Sequence, residues 1–425
     1  MMGRQALAQS VNRRVFYGWI MVFVAGFSIF ASGPGQSHTF SAFNALIAAD
    51  LGITNTELAF AYSLATVGAA SLLPLFGRQV ERFGSRRSLM GVSLALGLAC
   101  LFFGAAANFL WLVAGFGLLR FFGQGSMMLG AANLVAQWFS LKRGFAMGLM
   151  ALGFAASMAI HPTLARVLIE AFGWREAWIG LGVMTWVMML PLLFLLVEDK
   201  PEDLGLRPDN TQEPEAAGGH VPALGGATLA EALHHPSFYI VATGLFMISG
   251  LVTTLHFHQY NILASQGLEA KWATLGFWFT AISMVLAMPL VGRGFDRFRT
   301  RYMFAAALCV QATTLTAVTF VTSVPTLLAY SLAFGLNNAF SMTLFGYIFP
   351  RYFGRLNLGR IQGTGQMVAV VGASVGPVPV SYALDFWGDP VMTLRLLSLL
   401  PLAAALIAVV FLRTAPQVKG YEHLE

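Results

Sequence analysis

The side chain with the clearest chemical potential is Arg120, which lies within an apolar stretch at residues 109–138. It is about twelve residues into that stretch, roughly 18 Å along a helix. A charge at bilayer depth costs several kcal/mol, so it normally faces a cavity or a partner and is functional. All 19 acidic residues fall in predicted loops or at helix ends. We predict that Arg120 binds an anionic substrate or couples protons; the alternative is that it caps backbone carbonyls or bonds to Gln124.

Further polar side chains lie within other apolar stretches. Asn337 and Asn338 are about as deep in the stretch at residues 325–350 as Arg120 is in its own. The alternative to substrate contact for this pair is a hydrogen bond between neighbouring helices. The predicted substrate-binding residues are Arg120, Gln124, Asn337, Asn338, Gln366 and Tyr62.

Two polar clusters end the first and the seventh apolar stretches. Gln36 and His38 end the first, and His256 and His258 end the seventh. Because imidazole changes its charge near neutral pH, we predict that these four residues form a proton-sensing or outer-gate site. Plain placement at the membrane interface is the alternative. His161 is a weaker candidate. Two histidines that are two residues apart do not share a helix face, so no metal site is predicted.

The stretches that hold these side chains are long enough to cross a bilayer. The chain has 425 residues, of which 57% are hydrophobic and 10% are charged, whereas soluble domains have about 25% charged residues. About 20 apolar residues span a bilayer as a helix. Twelve spans are predicted, at residues 15–38, 55–77, 86–107, 109–138, 144–171, 175–197, 237–261, 271–292, 302–323, 325–350, 359–386 and 390–413.

Basic residues set the predicted orientation of these spans. When the N-terminus is placed inside the cell, most of the 25 Lys and Arg residues fall on the cytoplasmic side, as the positive-inside rule requires. Their positions account for the net charge of +6, so no nucleic-acid partner is predicted. We expect an inner-membrane protein with cytoplasmic termini. Its six-helix bundles are predicted at residues 1–197 and 237–425. The cytoplasmic linker at residues 198–236 is predicted to be partly disordered at residues 211–226 and to form a short surface helix at residues 228–233.

A repeated loop relates the two halves. Residues 77–83 read GRQVERF and residues 292–298 read GRGFDRF, at an offset of 215 positions (292 minus 77). Acids in such loops can accept helix N-terminal or arginine donors in one conformation and lose them in another; the alternative is a topology signal alone. The predicted cytoplasmic gate consists of Gly77, Glu81, Arg82, Arg86, Gly292, Asp296 and Arg297. A second alignment, of residues 16–17 with residues 238–239, pairs Gln36 with His258.

These motifs resemble those of the major facilitator superfamily. Residues 77–87 (GRQVERFGSRR) resemble its loop signature G-x-x-x-D-R-x-G-R-R, and residues 120–125 (RFFGQG) resemble its R-x-x-Q-G motif. Residues 16–19 (FYGW) and 138–148 are similar to monocarboxylate and oxalate:formate porters. The resemblance implies an all-α fold of twelve transmembrane helices in two pseudo-symmetric six-helix bundles. Carboxylate porters of this branch carry a basic residue in the eighth or eleventh helix, whereas residues 272–291 and 361–384 of the corresponding predicted spans contain no Arg or Lys.

Residues and resemblance together favour a secondary transporter that moves a small organic anion, a mono- or dicarboxylate, by alternating access, with proton coupling left open. The alternatives are an efflux antiporter for cationic or apolar compounds and a non-transporting sensor in the same fold. Such antiporters usually keep an acid in the first helix, and no acid precedes Asp50. No Walker loop or nucleophile triad is found, so neither enzyme activity nor a cofactor is predicted. The expected partners are the anion and the lipid bilayer, with the protein a monomer.

Overall fold

The computed structural model describes residue 12 and residues 15–139, 142–210, 227–353 and 358–413. Those residues form helices and connecting turns without a β-strand, which confirms the predicted all-α class. In chain order, the helices are α1 (Gly18–Ala31), α2 (Ser37–Phe40), α3 (Asn44–Leu51), α4 (Asn55–Gly104), α5 (Phe109–Leu119), α6 (Met128–Trp138), α7 (Arg143–Phe172), α8 (Trp174–Leu196), α9 (Leu229–His234), α10 (Pro236–Ser265), α11 (Ala270–Arg297), α12 (Thr300–Val318), α13 (Val324–Phe353), α14 (Leu358–Val375), α15 (Val378–Trp387) and α16 (Val391–Phe411).

Three irregular features interrupt this pattern within the described residues 15–139. A 3₁₀ turn, Gly33–Gly35, separates α1 from α2, and a π-helical segment, Arg120–Met127, joins α5 to α6. Helix α4 is broken at Gly84, whose φ of 82° and ψ of 164° are open to glycine. Two predicted spans, at residues 55–77 and 86–107, therefore lie in one bent helix.

Most of the predicted spans are long and apolar enough to cross a membrane. Within the described residues, nine helical segments pass this test, and the bent pair Val324–Leu344 and Tyr347–Phe353 makes a tenth. Helix α1 has only 14 residues because the break at Gly33–Gly35 ends it early. Helix α12 has 19 residues and includes the polar side chains Arg301 and Gln311. The two elements that fall short of the test therefore occupy the first and ninth predicted spans.

The chain divides into two compact units. The first consists of Met1–Ile53 and Leu64–Gly219, and the second of Thr54–Ser63 and His220–Glu425. The start of α4 belongs to the second unit because Asp385 accepts hydrogen bonds from its first residues and Tyr62 packs 4.7 Å from the Phe257 ring.

The linker predicted at residues 198–236 is partly helical. It contains 3₁₀ turns at Pro201–Leu204 and Pro208–Asn210 and the short helix α9. Thr228 and Glu231 form a capping box at the start of α9, which confirms the short surface helix expected there. Residues 211–226, where disorder is predicted, lie outside the described residues.

Candidate functional site

A break after helix α1 brings the strongest candidate residues of the first unit together. Helix α1 ends at Ala31, the 3₁₀ turn Gly33–Gly35 follows, and α2 begins at Ser37. Pro34 has no amide hydrogen and so cannot continue the helical ladder. A helix interrupted at membrane depth leaves backbone groups that must be satisfied by neighbouring helices or that line a cavity. The residues that meet this break are therefore candidates for binding.

The π-helical segment places Arg120 against the break. Its guanidinium Nη1 donates a hydrogen bond to the carbonyl oxygen of Gly35 across 3.1 Å, and the side chain is 3% exposed. A Cβ atom on Gly123 would lie 2.7 Å from the Cα of Gly35, so the two backbones touch. π-helical turns often mark functional sites. Arg120 is thus fixed beside an irregular backbone, as the buried charge of a binding site would be.

The predicted polar cluster at the end of the first span lies in the same place. The Gln36 side-chain amide donates to Ser32 Oγ across 3.0 Å, and its nitrogen is 3.7 Å from the sulfur of Met128. Nε2 of His38 is 3.1 Å from Ser157 Oγ on α7. Gln124 adjoins the break through its backbone nitrogen, 2.9 Å from where a Cβ on Gly35 would lie. The structure therefore gathers Arg120, Gln124, Gln36 and His38 around one turn.

A matching arrangement occurs within the second unit. Nε2 of His258 lies 3.1 Å from the carbonyl oxygen of Pro377 and 2.9 Å from Ser381 Oγ. His258 is 220 positions after His38, Pro377 is 220 after Ser157, and Ser381 is 220 after His161. These contacts pair His258 with His38 at an offset of 220 positions, whereas the alignment of residues 16–17 with residues 238–239 has an offset of 222.

Other predicted residues of the second unit form a buried polar layer. The Asn337 side-chain amide donates to Gln311 Oε1 on α12 across 2.8 Å, and the Asn338 amide donates to the carbonyl oxygen of Phe334 across 2.8 Å. The ring of His256 lies 4.7 Å from the ring of Phe334. Asn337 thus joins two helices, as expected of polar side chains between transmembrane helices.

The two remaining substrate-site candidates are Tyr62 and Gln366. Tyr62 is fully buried and packs on Phe257. Gln366 is exposed on α14. The contacts described for either residue do not include the break in the first unit or the Asn337–Gln311 pair.

The predicted cytoplasmic gate contains one well-anchored arginine. Nε and Nη2 of Arg86 donate to the carbonyl oxygens of Leu193 and Phe194 at the end of α8, and the Arg86 amide donates to Asp199 across 2.8 Å. Arg82 is exposed, with its guanidinium 5.2 Å from the Phe83 ring. Around the other gate positions, Gly77 and Gly292 are half-buried, Arg297 is exposed, and the side chains of Glu81 and Asp296 lie outside the described residues.

An apolar groove of about 540 Å³ runs between α1 and α7 in the first unit. Phe30 lines this groove and also packs 4.8 Å from the ring of His161, so the groove reaches the break. Its other principal lining residues are Trp19, Phe23, Phe27, Leu149, Leu152 and Ile160.

Three contact residues were not part of the predicted sites. Ser157 joins His38 to His161, Gln311 holds Asn337, and Asp199 accepts from the Arg86 amide. Ser157 and His161 are four residues apart, so they share a helix face and this pattern was visible in the sequence. The long-range partners depend on how the helices pack, which residue spacing does not reveal.

The family model for the Major Facilitator Superfamily matches residues 18–310, more than half of the chain. The chain is 31% identical to the probable sulfoacetate transporter of Cupriavidus necator over 163 residues, 37% of this chain and 36% of that protein. It is 24% identical to mouse monocarboxylate transporter 6 over 278 residues, covering 62% and 59%. It is 27% identical to a Lactococcus lactis multidrug resistance efflux pump homologue over 192 residues, covering 44% and 45%.

Among solved structures, the chain resembles a bacterial homologue of the human lysosomal transporter Spinster, crystallised in an inward-facing, unoccupied conformation. The TM-score is 0.64 at 13% identity, and the match covers 93% of this chain and 95% of the other. The matched segments span between about a third and three fifths of the length of the three curated relatives described above. The structural likeness therefore establishes the fold, and the partial matches connect the chain to several transport activities.

Proposed function

Because the chain belongs to the major facilitator superfamily, and is a multi-pass membrane transporter rather than an enzyme, we propose that it moves a small organic anion by alternating access. The proposed cargo is a mono- or dicarboxylate, and its carboxylate binds at Arg120 beside the Gly33–Gly35 break. Proton coupling is part of the proposal.

The buried guanidinium is the observation that carries this proposal. Arg120 is 3% exposed within a candidate membrane span, Phe109–Trp138. Charged side chains at such a depth are costly and mark substrate or ion pathways. Its hydrogen bond to Gly35 fixes the guanidinium against the only 3₁₀ turn described before residue 200. A planar guanidinium matches the two oxygens of a carboxylate, which makes an organic anion the best-fitting cargo.

The relatives point to the same chemical class. One is named as a probable sulfoacetate transporter and another as a monocarboxylate transporter. Both cargoes carry a carboxylate, which is the group that Arg120 would bind. We assign this class to the present chain as part of the proposal, since the matches cover only part of each relative.

Exchange measurements in proteoliposomes test the proposal. The purified protein is loaded with unlabelled lactate or sulfoacetate, and uptake of the labelled anion is followed at equal pH on both sides. Arg120→Gln should lower exchange by roughly 30-fold or more, the factor that about 2 kcal/mol gives. Arg166→Gln is the matched control because Arg166 pairs with the exposed Glu170 on α7. Full exchange by Arg120→Gln would remove this residue from the site.

A second candidate function is efflux of apolar or cationic compounds. The apolar groove between α1 and α7, with Trp19, Phe23 and Phe27, favours this alternative, as does the efflux-pump relative. An ethidium-loading assay on cells that express the protein separates the two. Ethidium efflux that survives Arg120→Gln and falls with Phe27→Ala would support the efflux function.

The proposed setting is the inner membrane, with both termini in the cytoplasm and the protein working as a monomer. The Lys and Arg distribution supports this orientation. The loop residues around Gly77 and Gly292 are the proposed cytoplasmic gate. Reporter fusions at the linker, residues 211–226, should report a cytoplasmic location, and a periplasmic signal there would reverse the orientation.

A further inference from the structure

The first unit contains two buried histidines joined through one serine. Ser157 Oγ lies 3.1 Å from Nε2 of His38 and 3.2 Å from Nδ1 of His161. Nδ1 of His161 is also 3.3 Å from the carbonyl oxygen of Ser157, which can only accept a hydrogen bond. Nδ1 of His161 therefore bears the hydrogen, and Nε2 carries the lone pair in the neutral ring.

Nε2 of His161 is buried and has no hydrogen-bond partner among the residues that the structure describes. Buried ring nitrogens of histidine are normally satisfied, so this one requires an explanation. The ring is held firmly in place: Phe30 packs on it at 4.8 Å, and a Cβ atom at Gly33 would fall inside it. The ring of His161 is therefore fixed in orientation, and the lone pair on Nε2 can accept a proton.

The second unit has the serine contact but a different residue one turn further along. Ser381 Oγ lies 2.9 Å from Nε2 of His258, just as Ser157 Oγ lies 3.1 Å from Nε2 of His38. His161 follows Ser157 by four residues, whereas Asp385 follows Ser381 by four and accepts from the Asn55 and Thr56 amides. The imidazole of His161 is therefore specific to the first unit, which also contains Arg120.

We propose that Nε2 of His161 is the site that binds the coupling proton. Protonation of His161 places a positive charge beside Gly33. The charged guanidinium of Arg120 is hydrogen-bonded to Gly35 in the same turn. The two positive charges repel each other in a medium of low dielectric constant, and an anion bound between them offsets this repulsion. Binding of the anion and of the proton then favour each other reciprocally, which is symport. This inference rests on the proposed anion site at Arg120.

The other ionisable groups near His161 are few. His38 faces it through Ser157, and Arg120 faces the same turn from the π-helical segment. Helix α1, which packs against α7, has no ionisable side chain. The remaining charged side chains described on α7 and α8 lie near their ends, namely Arg166, Glu170, Arg175 and Glu176. Arg166 pairs with Glu170, and Arg175 pairs with Asp50.

Proton uptake by the purified protein tests the site without any substrate. The protein in detergent and a weak buffer is titrated between pH 8 and pH 4 with a soluble pH dye. His161→Gln should take up about one proton fewer than the unmodified chain over this range. His234→Gln is the matched control substitution, since His234 is exposed on α9 and lies outside the proposed site. An unchanged titration for His161→Gln would overturn the proposal.

Accumulation against a gradient tests the coupling. With two pH units across the liposome membrane and labelled sulfoacetate, one coupled proton supports up to about 100-fold accumulation. His161→Gln should accumulate the anion little above equilibrium, whereas His234→Gln should match the unmodified protein. Sustained accumulation by His161→Gln would overturn the coupling.

Two further results keep the outcomes distinct. If the unmodified protein exchanges neither sulfoacetate nor lactate, the proposed anion transport fails, while the titration still decides the proton site. If His161→Gln melts well below the unmodified chain, His161→Ser replaces it, because serine is a smaller polar side chain that cannot take up the proton. Accumulation that persists in His161→Ser would contradict the proposal.

Discussion

Nη1 of Arg120 and the carbonyl oxygen of Gly35 are 3.1 Å apart, so the arginine predicted from its depth in the sequence holds the break of the first helix. The predicted alternative, capping of a backbone carbonyl, is therefore observed. It does not compete with anion binding, because a guanidinium presents five donors in one plane and keeps its charge. A residue that hydrogen-bonds to the interrupted helix and also binds an anion would couple anion binding to the conformation of α1 and α2.

The close approach of the break to the π-helical segment requires glycine. A Cβ on Gly123 would meet the Cα of Gly35 at 2.7 Å, and a backbone cannot yield as a flexible side chain does. Gly123→Ala should therefore destabilise the protein by about 1–3 kcal/mol and lower anion exchange. Thermal unfolding in detergent measures the first effect and proteoliposome exchange the second.

Gly68→Ala is the control for that substitution. Nothing lies within 4 Å of a Cβ at Gly68, and alanine in a helix is favoured over glycine by about 0.5–1 kcal/mol. The control should melt at or above the temperature of the unmodified protein. If Gly123→Ala has the same melting temperature as Gly68→Ala, the described contact between the two backbones does not govern stability.

Gly84 holds the break in α4 in a conformation that other residues rarely adopt. Its φ is 82° and its ψ is 164°, and a Cβ would lie 2.6 Å from the carboxylate of Asp199. Gly84→Ala should cost about 1–3 kcal/mol from backbone strain and displace Asp199 from the Arg86 amide. Gly91→Ala, with open space around it, is the matched control for thermal unfolding. Equal melting temperatures for Gly84→Ala and Gly91→Ala would contradict the prediction that alanine is strained at residue 84.

The depth of Arg120 could be predicted from the sequence, because one charge in a long apolar run is conspicuous. The break beside it was not predicted, although residues 32–36 read SGPGQ. Span prediction counts apolar residues, and glycine and proline do not lower that count enough to divide residues 15–38. The structure resolves the ambiguity because Gly33 and Gly35 are in contact with α7 and the π-helical segment.

The predicted cytoplasmic gate shows a second limit of prediction from sequence. The motif at residues 77–83 drew attention to Glu81, yet the acid seen at the start of the next helical segment is Asp199, which accepts from the Arg86 amide. Arg86 and Asp199 are 113 positions apart in the sequence. Local motifs identify where a loop is charged, whereas the carboxylate that reaches a helix start depends on how distant elements pack. The role of Glu81 stays a prediction.

The hydrogen bond between Asn337 and Gln311 offers a measurable coupling energy. The two amides are 2.8 Å apart and both residues are fully buried. A double-mutant cycle with Asn337→Leu, Gln311→Leu and the double variant should give about 0.6–1.7 kcal/mol of coupling. Each single substitution should lower the free energy of unfolding by more than half of the coupling energy, because it leaves a buried amide without its partner. A coupling of zero would mean that the two amides do not act as a pair.

The start of α4 is capped from the far end of the chain. Asp385 accepts hydrogen bonds from the backbone amides of Asn55 and Thr56 at 3.0 and 2.7 Å, and from the Asn55 side chain at 2.8 Å. A carboxylate at a helix N-terminus satisfies free amides and interacts favourably with the helix dipole. Asp385→Ala should therefore destabilise the protein by about 0.5–2 kcal/mol.

Asp385→Asn removes only part of this cap. Asparagine has one accepting oxygen, so it keeps the contacts made through Oδ1 but loses the charge and the acceptor for the Thr56 amide. Its cost should be smaller than that of alanine, about 0.3–1 kcal/mol, and should shrink further at high salt. Asp203→Ala is the control, since Asp203 is exposed in the 3₁₀ turn of the linker. Thermal unfolding at low and high salt measures all three variants. Equal costs for Asp385→Asn and Asp385→Ala would assign the effect to the charge and the Thr56 contact together, and equal stability of all variants would mean that the cap contributes nothing.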